Sequence, residues 1–175
     1  MVIRKATTED ISAVEKIYLS IHTAEEQGKT TTCWIRGVYP TRAVAENACS
    51  QNTLFVMENK GDIVGAAIIN QTQVEEYKFG KWSVDAKVDE IMVLHTLVIS
   101  PFCSGKGYGK AFVSFYEEYA KINGCRHLRM DTNEKNTIAR SLYKKLGYIE
   151  VGTVPCDFNG IKNVKMVLLE KVLKG

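Results

Sequence analysis

The glycine-rich segment Ser104–Lys110, with the sequence SGKGYGK, has the composition of an anion-binding loop. It follows the apolar run Ile91–Ile99 and leads into a segment with helical apolar periodicity that begins near Ala111. A strand, a tight turn and a helix N-terminus are therefore expected in succession. Glycine lets the backbone approach a ligand closely, and the free N–H groups at a helix start favour negative charge. The sequence predicts a loop that binds a pyrophosphate.

Two common nucleotide-binding loops do not fit this segment. A Walker A loop needs Gly at its first position and Ser or Thr after its Gly-Lys pair to hold magnesium, and here Ser104 and Ala111 stand at those places. The dinucleotide fingerprint has a third glycine where this chain has Phe112. P-loop nucleoside triphosphatases and nicotinamide or flavin enzymes are thus disfavoured.

A second motif, NTIARSLYKKLGY, runs from Asn136 to Tyr148 and has the periodicity of a helix that ends at Gly147. Asn136 and Tyr143 are seven residues apart, which puts them on one helix face with an axial spacing of about 10.5 Å. An extended ligand could contact both side chains. The alternative is that Asn136 only caps the helix and Tyr143 is a core aromatic.

Taken together, the loop and the second motif resemble the GNAT superfamily of acyl-CoA-dependent N-acetyltransferases. The family's later signature, Asn-x-x-Ala-x-x-Leu-Tyr-x-x-Leu-Gly-Phe/Tyr, is matched in full from Asn136 to Tyr148. The loop departs once, because Ser104 stands where the family usually has Arg or Gln. The resemblance covers the chain from Leu54 onward and fits the N-terminal third only in outline.

The resemblance implies that acetyl-CoA binds as a co-substrate, with its pyrophosphate on the loop and its pantetheine beside Asn136. Tyr143 would protonate the leaving thiolate, a task that suits a phenol. The central strand would offer backbone groups to the pantetheine amides and the acetyl carbonyl. The expected acetyl-CoA contacts are Leu97, Val98, Ile99, Ser104, Gly105, Lys106, Gly107, Tyr108, Gly109, Lys110, Asn136 and Tyr143. An equally good interpretation of Lys106 and Lys110 is that both are solvent-exposed lysines without a binding role.

The general base is the role that the sequence defines least. His95 lies on the central strand just before the expected cofactor-binding stretch, and an imidazole pKa suits deprotonation of an amine. His95 is therefore the second candidate catalytic residue, in addition to Tyr143. Asp89, Glu90 or a water chain are the alternatives, and a hydrogen-bonded core histidine is the reading without a catalytic role.

Composition sets the remaining limits. The net charge of +3 is spread among acidic residues, which argues against a nucleic-acid surface. Five scattered cysteines without a C-x-x-C pair predict reduced thiols and neither a disulfide framework nor a metal site. We expect residues 1–175 to form a single domain in the cytoplasm, with no membrane partner.

Strands and helices that alternate around the strand-loop-helix unit predict an α/β fold. The resemblance implies a GNAT-like fold with a mixed, mostly antiparallel, twisted sheet of about seven strands flanked by about four helices, and with the pyrophosphate loop between the central strand and a helix. The post-loop helix is predicted to bury a stripe of apolar residues: Ala111, Phe112, Phe115, Tyr116, Tyr119 and Ile122. The polar segment from Gln71 to Asp89 is either a long connection or an extended hairpin arm.

The favoured hypothesis is an N-acetyltransferase that moves the acetyl group of acetyl-CoA to a primary amine by direct attack in a ternary complex. Its rival is a non-catalytic acyl-CoA sensor or interaction module on the same fold, and another acyl group such as succinyl is a further alternative. The expected partner is a small-molecule or peptide amine. A homodimer is left open, and the acceptor itself is not readable from the sequence.

Overall fold

The computed structural model describes residues 1–174 and shows a mixed sheet of seven strands with four α-helices, which confirms the predicted fold class. The strands are β1 (Val2–Lys5), β2 (Leu54–Asn59), β3 (Asp62–Asn70), β4 (Ile91–Ile99), β5 (His127–Asn133), β6 (Ile149–Phe158) and β7 (Ile161–Val172). The helices are α1 (Ile11–Glu26), α2 (Arg42–Ser50), α3 (Tyr108–Ile122) and α4 (Thr137–Lys145).

The strand order across the sheet is β1-β2-β3-β4-β5-β7-β6. All neighbouring pairs are antiparallel except β4 and β5, which are parallel because α3 crosses over between them. The β2–β3 hairpin turns at Lys60 and Gly61, both with positive φ (54° and 88°), as a two-residue turn requires. The centre of the sheet is therefore the one place where two parallel strands meet.

Alternating side chains send apolar groups to both faces of the sheet. On β2, Phe55 and Met57 join the cluster under α3 and α4, whereas Leu54 and Val56 join the cluster under α1 and α2. A third cluster lies on the same face as α1 and α2 and is centred on Tyr77. Because apolar groups cover both faces of the sheet, β4 is apolar and buried at four successive residues, Ile91 to Leu94.

Helix α3 begins at Tyr108, three residues before the predicted start near Ala111. Phe112 and Tyr116 are fully buried, as the predicted stripe requires, but Ile122 is 83% exposed. The prediction for Ile122 was wrong. The last turn of α3 extends beyond the core, so the apolar periodicity continues at a residue whose side chain no other element within residues 1–174 covers.

The segment from Gln71 to Asp89 is a connection rather than a hairpin arm. It contains two 3₁₀ turns, Glu75–Phe79 and Val88–Glu90, and no strand. Tyr77 in the first turn is 2% exposed and anchors the segment to the sheet. We call residues 71–89 the connecting arm.

No helix within residues 1–174 has both the length and the apolar character needed to cross a lipid bilayer.

Candidate active site

Strands β4 and β5 separate halfway along their length. Their registered pairs run from Ile91–His127 to Leu94–Met130 and stop there, while β4 continues to pair with β3 as far as Ile99. The edge of β4 that faces β5 is therefore unpaired from His95 to Ile99. Backbone N–H and C=O groups on such an edge are available to a ligand.

A β-bulge lies on β4 where the two strands separate. The pairing with β3 shifts by one residue between Ile68–His95 and Ala66–Val98. Thr96, the extra residue, has φ of 51°, an unusual conformation for a β-branched side chain. At the bulge, the Thr96 hydroxyl hydrogen-bonds to the hydroxyl of Tyr39, a residue outside the sheet.

A cavity of about 380 Å³ opens at this separation. Its lining includes His95, Thr96 and Leu97 from β4, Asp131 from β5, and Asn136 and Tyr143 from the start and body of α4. The structure thus brings together both candidate catalytic residues, His95 and Tyr143, and three of the expected acetyl-CoA contacts, which are Leu97, Asn136 and again Tyr143. Val98 is buried on the α1 side and Ile99 lies outside the cavity, so these two contribute at most backbone groups.

Tyr143 is positioned by the way α4 begins. Asn136 is the N-cap, with its Oδ1 accepting a hydrogen bond from the Ala139 N–H at 3.3 Å, and it lines the cavity as well. Tyr143 is 7% exposed, and its hydroxyl has no hydrogen-bond partner within residues 1–174. Burial, and then the nearby Asp131, raise the pKa of Tyr143, so the phenol keeps its proton at neutral pH.

His95 is held through Nε2, which lies 3.1 Å from the Thr72 carbonyl oxygen and 3.1 Å from Asn70 Oδ1. A carbonyl oxygen only accepts, so Nε2 carries the proton in the neutral ring. Nδ1 then has a free lone pair. Burial lowers the pKa of His95 to about 4, against the opposing hydrogen bond to Thr72, and the ring is neutral at pH 7.

Asp131 is a site residue that the sequence analysis missed. Its Oδ2 accepts a hydrogen bond from Tyr77 Oη at 2.9 Å. Burial raises the pKa of Asp131 to about 6, while the Tyr77 bond lowers it and the Glu76 charge raises it further. The only signal in the sequence is an acid on a strand that ends shortly before Asn136.

The glycine-rich loop lies outside this cavity, at the N-terminus of α3. Gly105 and Gly107 both have φ of 77°, and the first hydrogen bond of the helix runs from the Ala111 N–H to the Gly107 carbonyl at 3.0 Å. From Gly105 to Lys110, six successive N–H groups have no acceptor within the described part of the chain. Such a set of free donors at a helix start is suited to a phosphate group.

The side chains of the loop make few contacts that fix their positions. Lys106 and Lys110 form no ion pair with any residue from 1 to 174, which leaves both ammonium groups free for an anion. Tyr108 packs against the core below α3, and Ser104 follows a 3₁₀ turn at Pro101–Cys103. A Cβ on Gly109 would lie 3.2 Å from Leu142, so this glycine lets α3 pack close to α4.

The alternative bases are placed elsewhere. Asp89 and Glu90 are exposed in the 3₁₀ turn that precedes β4, and neither lines the cavity. Glu90 accepts a hydrogen bond from the Lys87 N–H instead. Of these three carboxylates, only Asp131 lines the cavity.

The chain is similar to known acetyltransferases in sequence and in fold. Residues 13–148 match the model of the acetyltransferase (GNAT) family. The chain is 28% identical over 151 residues to the uncharacterized N-acetyltransferase YhfO of Bacillus subtilis, covering 86% of this chain and 91% of YhfO. It superimposes with a TM-score of 0.81 and 27% identity on a GNAT-family acetyltransferase from Streptococcus agalactiae, over 99% of this chain and 96% of the other.

A further structural neighbour is yncA from Salmonella typhimurium, a structure described as containing its cofactor acetyl-CoA. The TM-score is 0.67 with 19% identity, over 99% of this chain and 94% of that one. At this identity the likeness is one of fold.

Proposed function

The chain belongs to the GNAT family of acetyltransferases, and from this premise we propose that it transfers the acetyl group of acetyl-CoA to a primary amine by direct attack while both substrates are bound. The observation that carries the proposal is that Tyr143 and His95 line one cavity where β4 and β5 separate. One is a protonated acid and the other a neutral base at pH 7.

The residues present fit acetyl-CoA. The six free N–H groups from Gly105 to Lys110 would hold its pyrophosphate, with Lys106 and Lys110 adding positive charge. Asn136 and the unpaired edge of β4 would hold its pantetheine arm. When bound, this substrate supplies a thioester whose carbonyl carbon accepts the amine.

Tyr143 is the proposed acid. The departing sulfur needs a proton, and burial keeps the Tyr143 phenol protonated at neutral pH, so a proton is available beside the thioester. Backbone N–H groups on the free edge of β4 would stabilise the negative charge that develops on the carbonyl oxygen.

His95 is the proposed base. Its Nδ1 has no hydrogen-bond partner within residues 1–174, and Thr72 and Asn70 fix the ring through Nε2. The ring can therefore take up a proton from the attacking amine without a change of tautomer. The lowered pKa keeps the ring neutral, although it also makes the imidazole a weak base.

A covalent acetyl-enzyme is not supported by the cysteines near the site. Cys33 lines the cavity, but burial, and then the Glu25 charge, raise the pKa of its thiol and so disfavour the reactive thiolate. Cys103 lies outside the cavity and packs against the core. All five cysteines are free thiols in the structure.

The test is a thiol-release assay with acetyl-CoA and a panel of primary amines, followed by initial-rate kinetics with any amine that reacts. Direct attack predicts intersecting double-reciprocal lines, whereas an acetyl-enzyme predicts parallel ones. Tight CoA binding by calorimetry with no release for any amine would overturn the proposal in favour of an acyl-CoA sensor.

A further inference from the structure

We propose that the acceptor is a monoamine with an apolar or aromatic body and no carboxylate or phosphate group, and that Asp131 is the residue that binds its ammonium. This inference rests on the acetyl transfer proposed above and narrows it to one class of substrate.

The first support is the charge of the cavity. Among the described residues that line it, Asp131 is the only one with a formal charge at pH 7, because His95 is neutral there and no Lys or Arg is present. The carboxylate of an α-amino acid would find no cation in this cavity and would face a like charge. An anion that is removed from water without a partner is strongly disfavoured.

The second support is that Asp131 is not neutralised by the protein. It forms no ion pair within residues 1–174, and only its Oδ2 is used, by Tyr77. Arg129, two residues earlier on the strand, instead stacks at 4.0 Å over the ring of Trp82 and hydrogen-bonds to Gln73. Oδ1 of Asp131 is thus free for a cationic ligand.

The third support is that the carboxylate is held in place. Tyr77 is fully buried, and its backbone carbonyl accepts a hydrogen bond from Trp82 Nε1 at 2.6 Å. The two rings pack with centroids 5.4 Å apart. The connecting arm therefore fixes the one anionic group of the cavity before any ligand arrives, which lowers the cost of binding.

The fourth support is a group of three aromatic side chains in the wall of the cavity. Trp34 and Tyr39 meet edge to face with centroids 5.8 Å apart, and both line the cavity together with Phe158. Aromatic faces attract an ammonium and also bury an apolar body. A polyamine would bring a second ammonium for which the lining offers no second carboxylate, so one charge and an apolar body fit best.

The experiment compares three acceptors that differ in charge: 2-phenylethylamine, L-phenylalanine, which adds a carboxylate, and 1,5-diaminopentane, which replaces the ring with a second ammonium. We expect kcat/KM for 2-phenylethylamine to exceed that for each of the others by about tenfold or more. Asp131→Asn should lower kcat/KM for 2-phenylethylamine by about tenfold or more and narrow its advantage over L-phenylalanine. Asp62→Asn makes the same change at an exposed carboxylate of the β2–β3 hairpin and should change neither value.

Equal or better turnover of L-phenylalanine or 1,5-diaminopentane would overturn the substrate class and leave the acetyltransferase proposal standing. Binding of the same three compounds in the presence of CoA, measured by calorimetry, separates the two proposals if none is acetylated. In that case, binding that favours 2-phenylethylamine in the wild type but not in Asp131→Asn would support the proposed binding site, although the transfer proposal would have failed. If Asp131→Asn does not fold, the ranking of the three amines is compared between the wild type and Asp131→Glu. Asp131→Glu keeps the carboxylate and should keep the ranking, and a lost wild-type ranking would contradict the proposal.

Discussion

His95 and Asp131 occupy corresponding positions on the two strands that separate. Each follows by one residue the last registered pair, Leu94 with Met130, and both line the cavity. Burial lowers the pKa of the imidazole to about 4 and raises that of the carboxyl to about 6. At pH 7 the point of separation therefore carries one neutral base and one carboxylate, on different strands.

The pH dependence of kcat/KM should reflect the ionisation of both His95 and Asp131. As pH falls, kcat/KM is expected to decrease first near pH 6, where Asp131 is protonated, and more steeply near pH 4, where His95 is protonated. His95→Gln should lower kcat by roughly 10²-fold or more and remove the steeper limb. His127→Gln, a change outside the cavity, is the control, and an unaltered profile in His95→Gln would assign the proton to Asp131 or to water.

Tyr77 is expected to act through Asp131 rather than on the substrate. Its hydroxyl stabilises the ionised carboxylate, so Tyr77→Phe should raise the pKa of Asp131 and move the upper acidic limb to higher pH. Activity should recover in large part at a pH above the new limb. Tyr119→Phe removes a hydroxyl elsewhere and should leave the limb in place; the same limb in both variants would refute a positioning role for Tyr77.

Asp131 is also expected to cost stability at neutral pH. Its folded-state pKa of about 6 lies above the ordinary value of 3.8, so the native state binds the proton more tightly and loses stability as pH rises from about 4 through 6. Asp131→Asn should therefore raise Tm at pH 7.5, and the gain should disappear near pH 4. Thermal unfolding at the two pH values checks this, and a destabilised variant at pH 7.5 would contradict it.

The glycine-rich loop should tolerate no side chain at Gly107. With φ of 77° this position is strained for any β-branched residue, and Gly107→Val should disturb the row of free N–H groups. CoA affinity measured by calorimetry is expected to fall about tenfold or more. Gly124→Val introduces similar strain, at φ of 76°, beyond the other end of α3 and should leave CoA affinity unchanged.

The central elements were predictable because their signals are local. Strand β4 was predicted with its observed ends, since an apolar run is bounded by Ser100 and Pro101. The α4 motif was found from an N-cap, helical periodicity and a terminal glycine. In contrast, Ile122 continued the apolar period of α3 after the core had ended, so its burial was predicted wrongly.

The parts of the site that local sequence patterns do not mark depend on long-range pairing. The separation of β4 from β5 is a matter of register between strands joined through a helix, and no residue type marks it. Asp131 belongs to the site because β5 stops pairing with β4 one residue earlier, and Tyr77, 54 positions earlier in the chain, holds its carboxylate from the connecting arm. Local patterns carry no information on either contact.

The measurement that tests the central claim most directly is the amount of free CoA and of acetylated amine formed from acetyl-CoA, quantified together by mass spectrometry. The wild-type protein should form the two in equal amounts, and Tyr143→Phe should form both about 10² to 10⁴ times more slowly with unchanged CoA affinity. Tyr148→Phe is the matched control, because that ring lies 6.0 Å from Tyr143 but does not line the cavity. Release of CoA without an acetylated amine, or wild-type rates in Tyr143→Phe, would contradict the proposed transfer and the role of Tyr143 in it.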